Sequence, residues 1–274
     1  MNLPAAIAYA GRHKPHTLQI AQDGELLHES YGSDYTAETP HPLYSGTKSF
    51  WGVLAVVAQQ DGLLTLEERV AETIPAWAED AAKRLVSLKQ LLQLTSGIGF
   101  GGLGNAVPAY DKALAAALQH TPGSTFTYGG IPLQVFGAVL ARKLASTGET
   151  PHAYLSRRVL APAGVRIASW RVLKDGTQPL PTGAFLSAAQ WRAYGDFVRG
   201  REREFAPCFI GSTANPRYGL GWWLAVPGAP EDLRYASGAG GQGLYIIPSQ
   251  RVVVARFGGS ASFKHDAFLK RLFS

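Results

Sequence analysis

The chain has 274 residues, 46% of them apolar, and carries a net charge of +6. That composition suits a folded globular protein with a substantial core, and because the Lys and Arg residues are scattered without a basic block or an aromatic-interleaved stripe, it gives no case for a nucleic-acid or membrane partner. A single cysteine, Cys208, excludes an internal disulfide and any Cys-x-x-Cys zinc or redox motif.

The N-terminal Met1-Asn2-Leu3-Pro4 leads into a short alanine-rich stretch and then Arg12, His13 and Lys14. The apolar run is too short for a secretory signal and the charges lie on its wrong side. No run of about eighteen apolar residues follows anywhere, so no membrane span is expected, and the sequence reads as cytoplasmic. Leu3 to Arg12 reads as a helix. Alternating residues on either side of Asp23-Gly24 predict a β-hairpin from Thr17-Leu18-Gln19-Ile20 and Glu25-Leu26-Leu27-His28. The chain then runs extended past Pro40 and Pro42.

Helical periodicity covers Thr47 to Gln60 and ends at Asp61-Gly62. Thr65-Leu66-Glu67-Glu68 has the cap and acidic first turn of a new helix. Further helices are expected over Ser87 to Leu94, Tyr110 to Gln119, Pro132 to Ala145, Ala153 to Leu160 and Ala188 to Gly200, with Gly/Pro-rich turns between them. Beyond Pro216 the pattern shortens to strands: Tyr218 to Ala225, Leu233 to Ala236, Leu244 to Ile247 and Arg251 to Phe257. An amphipathic helix, Phe263 to Phe273, closes the chain. Strands at both ends with helices between predict one catalytic domain, 1–274, of α+β class. Its antiparallel sheet comes from both termini, about 1–48 and 215–274, and a helical lobe of about 49–214 is inserted between.

Ser45, in Leu43-Tyr44-Ser45-Gly46-Thr47-Lys48-Ser49-Phe50, is the strongest candidate nucleophile. Residues i and i+3 share a helix face, so the Lys48 amine can fold back beside the Ser45 hydroxyl, and the free N–H groups of a helix start favour negative charge there. Two further segments accompany it. Thr121 to Gly130 delivers Tyr128 just before a helix, and Tyr235-Ala236-Ser237-Gly238-Ala239-Gly240-Gly241-Gln242-Gly243 ends a strand in glycines against which a substrate can lie. Leu91 to Ile98 supplies a helix that stops at the Thr95-Ser96-Gly97 turn.

In this order and spacing the segments resemble the serine β-lactamase and penicillin-binding protein superfamily, especially its class C-like esterase, D-aminopeptidase and amide-hydrolase branch. The resemblance implies a β-lactamase/transpeptidase-like fold and a cofactor-free serine hydrolase that acylates Ser45 and hydrolyses a small ester, amide or peptide-like substrate. It makes Lys48 the proton partner of Ser45 and Tyr128 the head of the Tyr-x-Asn box. Gly238 falls in the strand that usually carries Lys-Thr-Gly or His-Thr-Gly, and the oxyanion hole would use the N–H of Ser45 and one from Ser237, Gly238 or Ala239. Gly130 and Gln242 are the candidate substrate-binding residues.

Two departures stand out. Gly130 occupies the place of the box Asn, and Tyr235, Ala236 or Ser237 the place of the strand Lys or His. Those groups usually contact the amide and carboxylate of a β-lactam or peptide, so an esterase or amidase is expected ahead of a true β-lactamase or D-amino-acid peptidase. A silent acylating sensor is a third possibility. Either Lys48 or Tyr128 can serve as the base if its free value, ~10.4 or ~10, is lowered, and a Lys48 cation is expected to lower that of Tyr128.

Several other patterns carry no chemistry. Gly238-x-Gly240-x-x-Gly243 precedes a strand and not a helix, which removes a dinucleotide fingerprint. The histidines, His13 and His16 among them, lack metal-ligand spacing, so no metal site is expected. No Gly-x-Ser-x-Gly elbow occurs. Trp222 and Trp223 divide between core and pocket wall.

Overall fold

The computed structural model describes residues 1–274. Its strands, in chain order, are β1 (Pro15–Gln22), β2 (Glu25–Tyr31), β3 (His41–Pro42), β4 (Ser169–Trp170), β5 (Ala184–Leu186), β6 (Trp223–Leu224), β7 (Arg234–Gly238), β8 (Gln242–Ile247) and β9 (Val252–Gly258). Six form one antiparallel sheet in the order β2-β1-β9-β8-β7-β6, so the two ends of the chain meet where β1 pairs with β9. The hairpin between β1 and β2 turns through Asp23 and Gly24, both at positive φ (53° and 85°), as a two-residue type I′ turn requires.

Helices are α1 (Leu3–Gly11), α2 (Lys48–Gln60), α3 (Val70–Thr73), α4 (Leu88–Leu92), α5 (Tyr110–Leu114), α6 (Ile131–Lys143), α7 (Pro151–Leu155), α8 (Ala188–Arg199) and α9 (His265–Leu272). None is long and apolar enough to cross a membrane. Strands β8 and β9 are buried along their whole length because both faces of the sheet are covered. Alternate side chains therefore enter different cores: Tyr245, Ile247, Val252 and Val254 pack under α1 and α9, while Leu244, Ile246, Val253 and Ala255 face α8 and the main core. α2 is buried from Lys48 to Ala58 and runs through that main core, which explains why its sequence is apolar on all sides.

Several elements differ from expectation. Thr65 and Glu68 do exchange reciprocal cap bonds (Thr65 N–H to Glu68 Oε2 2.9 Å, Glu68 N–H to Thr65 Oγ1 3.1 Å), yet no helix follows until Val70. The backbone there is drawn into pairing with the next segment instead: Leu88 N–H donates to Glu68 O, Val70 N–H to Val86 O, and Arg69 bridges Ser87. The helix expected to reach Gln119 stops at Leu114, because Leu118 bridges Ile98 and the N–H groups of Gln119 and His120 both go to Gly97 O. Past Leu155, α7 widens into a π turn over Ser156–Leu160, clamped by Asp61, which accepts from the Tyr154 hydroxyl and the Arg158 guanidinium. Tyr218 to Ala225 is strand only at β6, since Gly221 folds the segment back so that Tyr218 bridges Trp223. The second sheet, β3-β5-β4, uses strands too short to leave a period in the sequence. It matters for the site: Leu43 N–H donates to Ala184 O, which ties the chain just before Ser45 to the helical half.

Candidate active site

Ser45 lies in a single 3₁₀ turn, Tyr44–Thr47, that runs directly into α2. Tyr44 holds φ +47°, a left-handed conformation unusual for an aromatic residue and of the kind that gathers at functional sites. The turn is braced by Ser49 Oγ, which donates to Gly46 O at 2.8 Å. Lys48, the first residue of α2, folds back so that Nζ donates to Ser45 Oγ at 3.0 Å and to Pro181 O at 3.2 Å. Only 1% of Lys48 is exposed, and this burial lowers the amine to about 7, since a charged group loses its hydration. The Ser-x-x-Lys spacing is therefore matched by contact, and the amine is poised between its two protonation states near neutrality.

Tyr128 approaches from the opposite side, just ahead of α6. Its position is fixed by Thr127 N–H donating to Leu94 O and by the stacking of its ring on Trp223 (5.9 Å between centroids). Lys48 Nζ stands 4.9 Å from the ring centre. The expectation that Lys48 would lower the Tyr128 phenol is overturned: burial raises it, against the smaller opposing effect of the neighbouring Ser45 hydroxyl. The same desolvation acts on both groups, weakening the cation that was to stabilise a phenolate and disfavouring the phenolate itself. Near neutrality Tyr128 is a phenol, a donor.

These groups open into a cavity of about 440 Å³ lined by Ser45, Tyr128, Ser237, Gly238 and Ala239, with Tyr44, Leu103, Pro181, Thr182 and Trp223 among the walls. No lining residue carries a charge. Of the two tryptophans, Trp223 is wall and Trp222 is fully buried core.

The sequence profile of the beta-lactamase family matches residues 16–263. The chain belongs to that family. Among curated proteins it is similar to the esterase EstB of Burkholderia gladioli, 29% identical over 189 residues, a stretch covering 60% of this chain and 46% of EstB. The chain thus spans less than half the length of that relative. Among solved structures, EstCE1, described as a hydrolase with promiscuous acyltransferase activity, superposes with a TM-score of 0.77 at 17% identity, over 98% of this chain and 96% of its own. A class C beta-lactamase from Rhodobacter sphaeroides gives 0.73 at 16% identity, over 99% and 97%. At such identities the structural matches establish the β-lactamase/transpeptidase-like fold.

Gly238 packs closely on the turn that carries Ser45. A Cβ there would lie 2.1 Å from Leu43 O, so only glycine lets β7 lie against the Ser45 turn. Of the three residues expected at the place of the box Lys or His, Ala236 is fully buried and Tyr235 nearly so. Gly130 does not reach the cavity. It donates its N–H to Gly101 O at 2.9 Å, and a Cβ there would fall 1.9 Å from Gly102 O, so the Gly101-Gly102 backbone fills the space of the box Asn side chain. Gln242 is likewise behind the wall. Its amide nitrogen donates to Ala239 O (2.8 Å) and Gly258 O (2.7 Å), and its oxygen accepts from Gly258 N–H (2.9 Å). Both expected substrate contacts are thus replaced by structural ones: the first lacks a side chain, and the second spends its amide on the hairpin that carries Ala239. The sequence reading missed Tyr44, Gly102, Leu103, Gly104, Pro181 and Thr182 as lining. The glycine density from Gly97 to Gly104 and the Pro179-Leu180-Pro181-Thr182-Gly183 run were the available signals.

Proposed function

We propose that this protein is a serine hydrolase that acylates Ser45 and releases the acyl group to water, with small neutral esters as preferred substrates and amides second. The observation that carries this reading is the Lys48 amine, 3.0 Å from Ser45 Oγ and lowered to about 7. As neutral amine, Lys48 accepts the Ser45 proton while Oγ attacks the acyl carbonyl. The resulting oxyanion would be received by the backbone N–H groups of Ser45 and Ala239. The Tyr128 phenol is suited to protonate the departing alkoxide and to recover a proton from the Lys48 ammonium, and deacylation runs the same transfers in reverse with water as the attacking group.

The ester preference is supported by the uncharged cavity lining. With Ala236 buried in the stretch where the family's strand cation stands and Gly102 O in the place of the box Asn, the wall offers no cation to pair with a substrate carboxylate. EstB is named an esterase, which agrees. The test is fluorophosphonate labelling with peptide mapping, followed by comparison of a short-chain aryl ester with a chromogenic cephalosporin. Labelling of Ser45, its loss in Ser45→Ala, and a higher kcat/KM for the ester are expected. Unchanged labelling and turnover in Ser45→Ala would falsify the nucleophile assignment, faster cephalosporin turnover would make the protein a β-lactamase, and a burst without turnover would make it a sensor.

A further inference from the structure

We infer that Gln134, a fully buried residue of α6, is a positioning residue for the Lys48 amine, acting through the strap Pro179-Leu180-Pro181. This rests on the reading of Lys48 as the proton acceptor. The strap presents three successive carbonyls, each taken by a different side chain. Pro179 O accepts from Trp170 Nε1 (2.8 Å), Leu180 O from Trp51 Nε1 (2.6 Å) and Pro181 O from Lys48 Nζ (3.2 Å).

Because residues 179 and 181 are prolines, their φ angles are fixed and the strap owns one N–H, that of Leu180. It donates to Gln134 Oε1 at 2.8 Å. The other end of the same amide, Nε2, donates to Pro108 O at 2.7 Å, which belongs to the segment following the cavity rim at Leu103 and Gly104. Gln134 also lies one turn beyond Gly130, with its N–H on Gly130 O. One buried amide thus joins the helix that follows Tyr128, the rim segment and the strap whose Pro181 carbonyl orients the Lys48 amine. Remove it and the Leu180 N–H is left buried without a partner, an arrangement a protein relieves by shifting the strap or admitting water.

Burial is what holds the Lys48 amine down, so admitting water raises it toward its free value. The experiment measures the pH dependence of Ser45 labelling by a fluorophosphonate, together with steady-state ester hydrolysis, in the 274-residue chain. Wild type is expected to show a limb near pH 7 that Lys48→Ala abolishes. A Lys48→Ala chain labelled at the wild-type rate and with the wild-type limb defeats the base assignment itself, separately from any result at Gln134. With that reference in place, Gln134→Met is expected to lower kcat about tenfold with KM nearly unchanged, as a displaced reacting group does, and to move the limb upward by roughly half a pH unit or more. Gln134→Glu, protonated in this buried place and able to make both bonds, is expected to restore the wild-type limb. A folded Gln134→Met chain that loses thermal stability but keeps the limb and kcat overturns the proposal. Should Gln134→Met not fold, Trp51→Phe removes the donor to Leu180 O and tests the same strap: a moved limb supports the inference and an unmoved one overturns it.

Discussion

The two sides of the Ser45 cavity are assembled at different separations along the chain. On one side Ser45 and Lys48 are three residues apart on a single turn, and their contact follows from helix geometry alone. On the other, Gly102, Pro181 and Gly238 arrive from three distant segments, and each meets its partner through backbone: Gly102 O against Gly130, Pro181 O on Lys48, and Gly238 against Leu43 O. The near side is specified by which side chains are present; the far side is specified by where backbone comes close. The near side should fail chemically while still folding, and the far side should fail by steric displacement.

The largest expected effect is on the near side and on the Tyr128 phenol that faces it. Lys48→Ala and Tyr128→Phe are each expected to reduce ester turnover by on the order of a hundredfold or more, the scale of a lost acid–base group, with little change in melting temperature. Because the proposed mechanism passes one proton between the two, the double variant should lose far less than the product of the single losses. Rates from all four proteins decide it: strictly multiplicative losses would separate the two residues, and a Tyr128→Phe enzyme with full turnover would remove the phenol from the mechanism.

On the far side the substitutions of interest add atoms. Gly238→Ala places a Cβ 2.1 Å from Leu43 O, and Gly130→Asn places one 1.9 Å from Gly102 O. In both cases the obstacle is backbone, so overpacking of about 1–3 kcal/mol is expected, seen as a melting temperature lower by roughly 2–12 °C, with ester turnover reduced about tenfold as the cavity walls move. Restoring the family's Asn should therefore not create cephalosporin turnover. A Gly130→Asn protein that gains β-lactam hydrolysis and keeps its melting temperature would show that the rim yields without cost.

The same division decides how much the sequence discloses. The hairpin at Asp23-Gly24, the sheet drawn from both ends, the helices at 47–60 and 188–200, and the trio Ser45, Lys48 and Tyr128 all have local signatures, either a period, a turn pair or a fixed spacing. The β3-β5-β4 sheet has none, because two- and three-residue strands leave no alternation. Thr65 to Glu68 shows the converse, a genuine cap signal whose helix is forestalled by pairing with residues about twenty positions away. Gly130 read as a loss and Gln242 as a ligand, since only the tertiary arrangement shows Gly102 O filling one place and Gly258 occupying the amide of the other. The direction of the Tyr128 shift was hidden for a related reason: it depends on how dry the site is, which no spacing encodes.

The smallest expected effect separates the near side from the rest of the molecule by proton linkage. The Lys48 amine is about 7 in the folded chain and ~10.4 when free, so between those values the unfolded chain binds more protons and stability rises with pH. Below about pH 7 the cost of burying this lysine is fully present. His41, His152 and His265 are each held to about 4, chiefly by burial, against ~6.5 when free. By the same sign, each contributes stability that is present above ~6.5 and is lost as pH falls toward 4. Thermal denaturation from pH 4 to 10 should therefore show two rising segments, one below about 6.5 and one above about 7. Lys48→Met, which keeps the length of the side chain without its charge, is expected to flatten the upper segment by raising the melting temperature a few degrees at pH 7 and below, and to leave the lower segment's slope unchanged. An upper segment that survives in Lys48→Met would mean that the amine is hydrated in solution, and the near side would then need another cause for a base that works near neutrality.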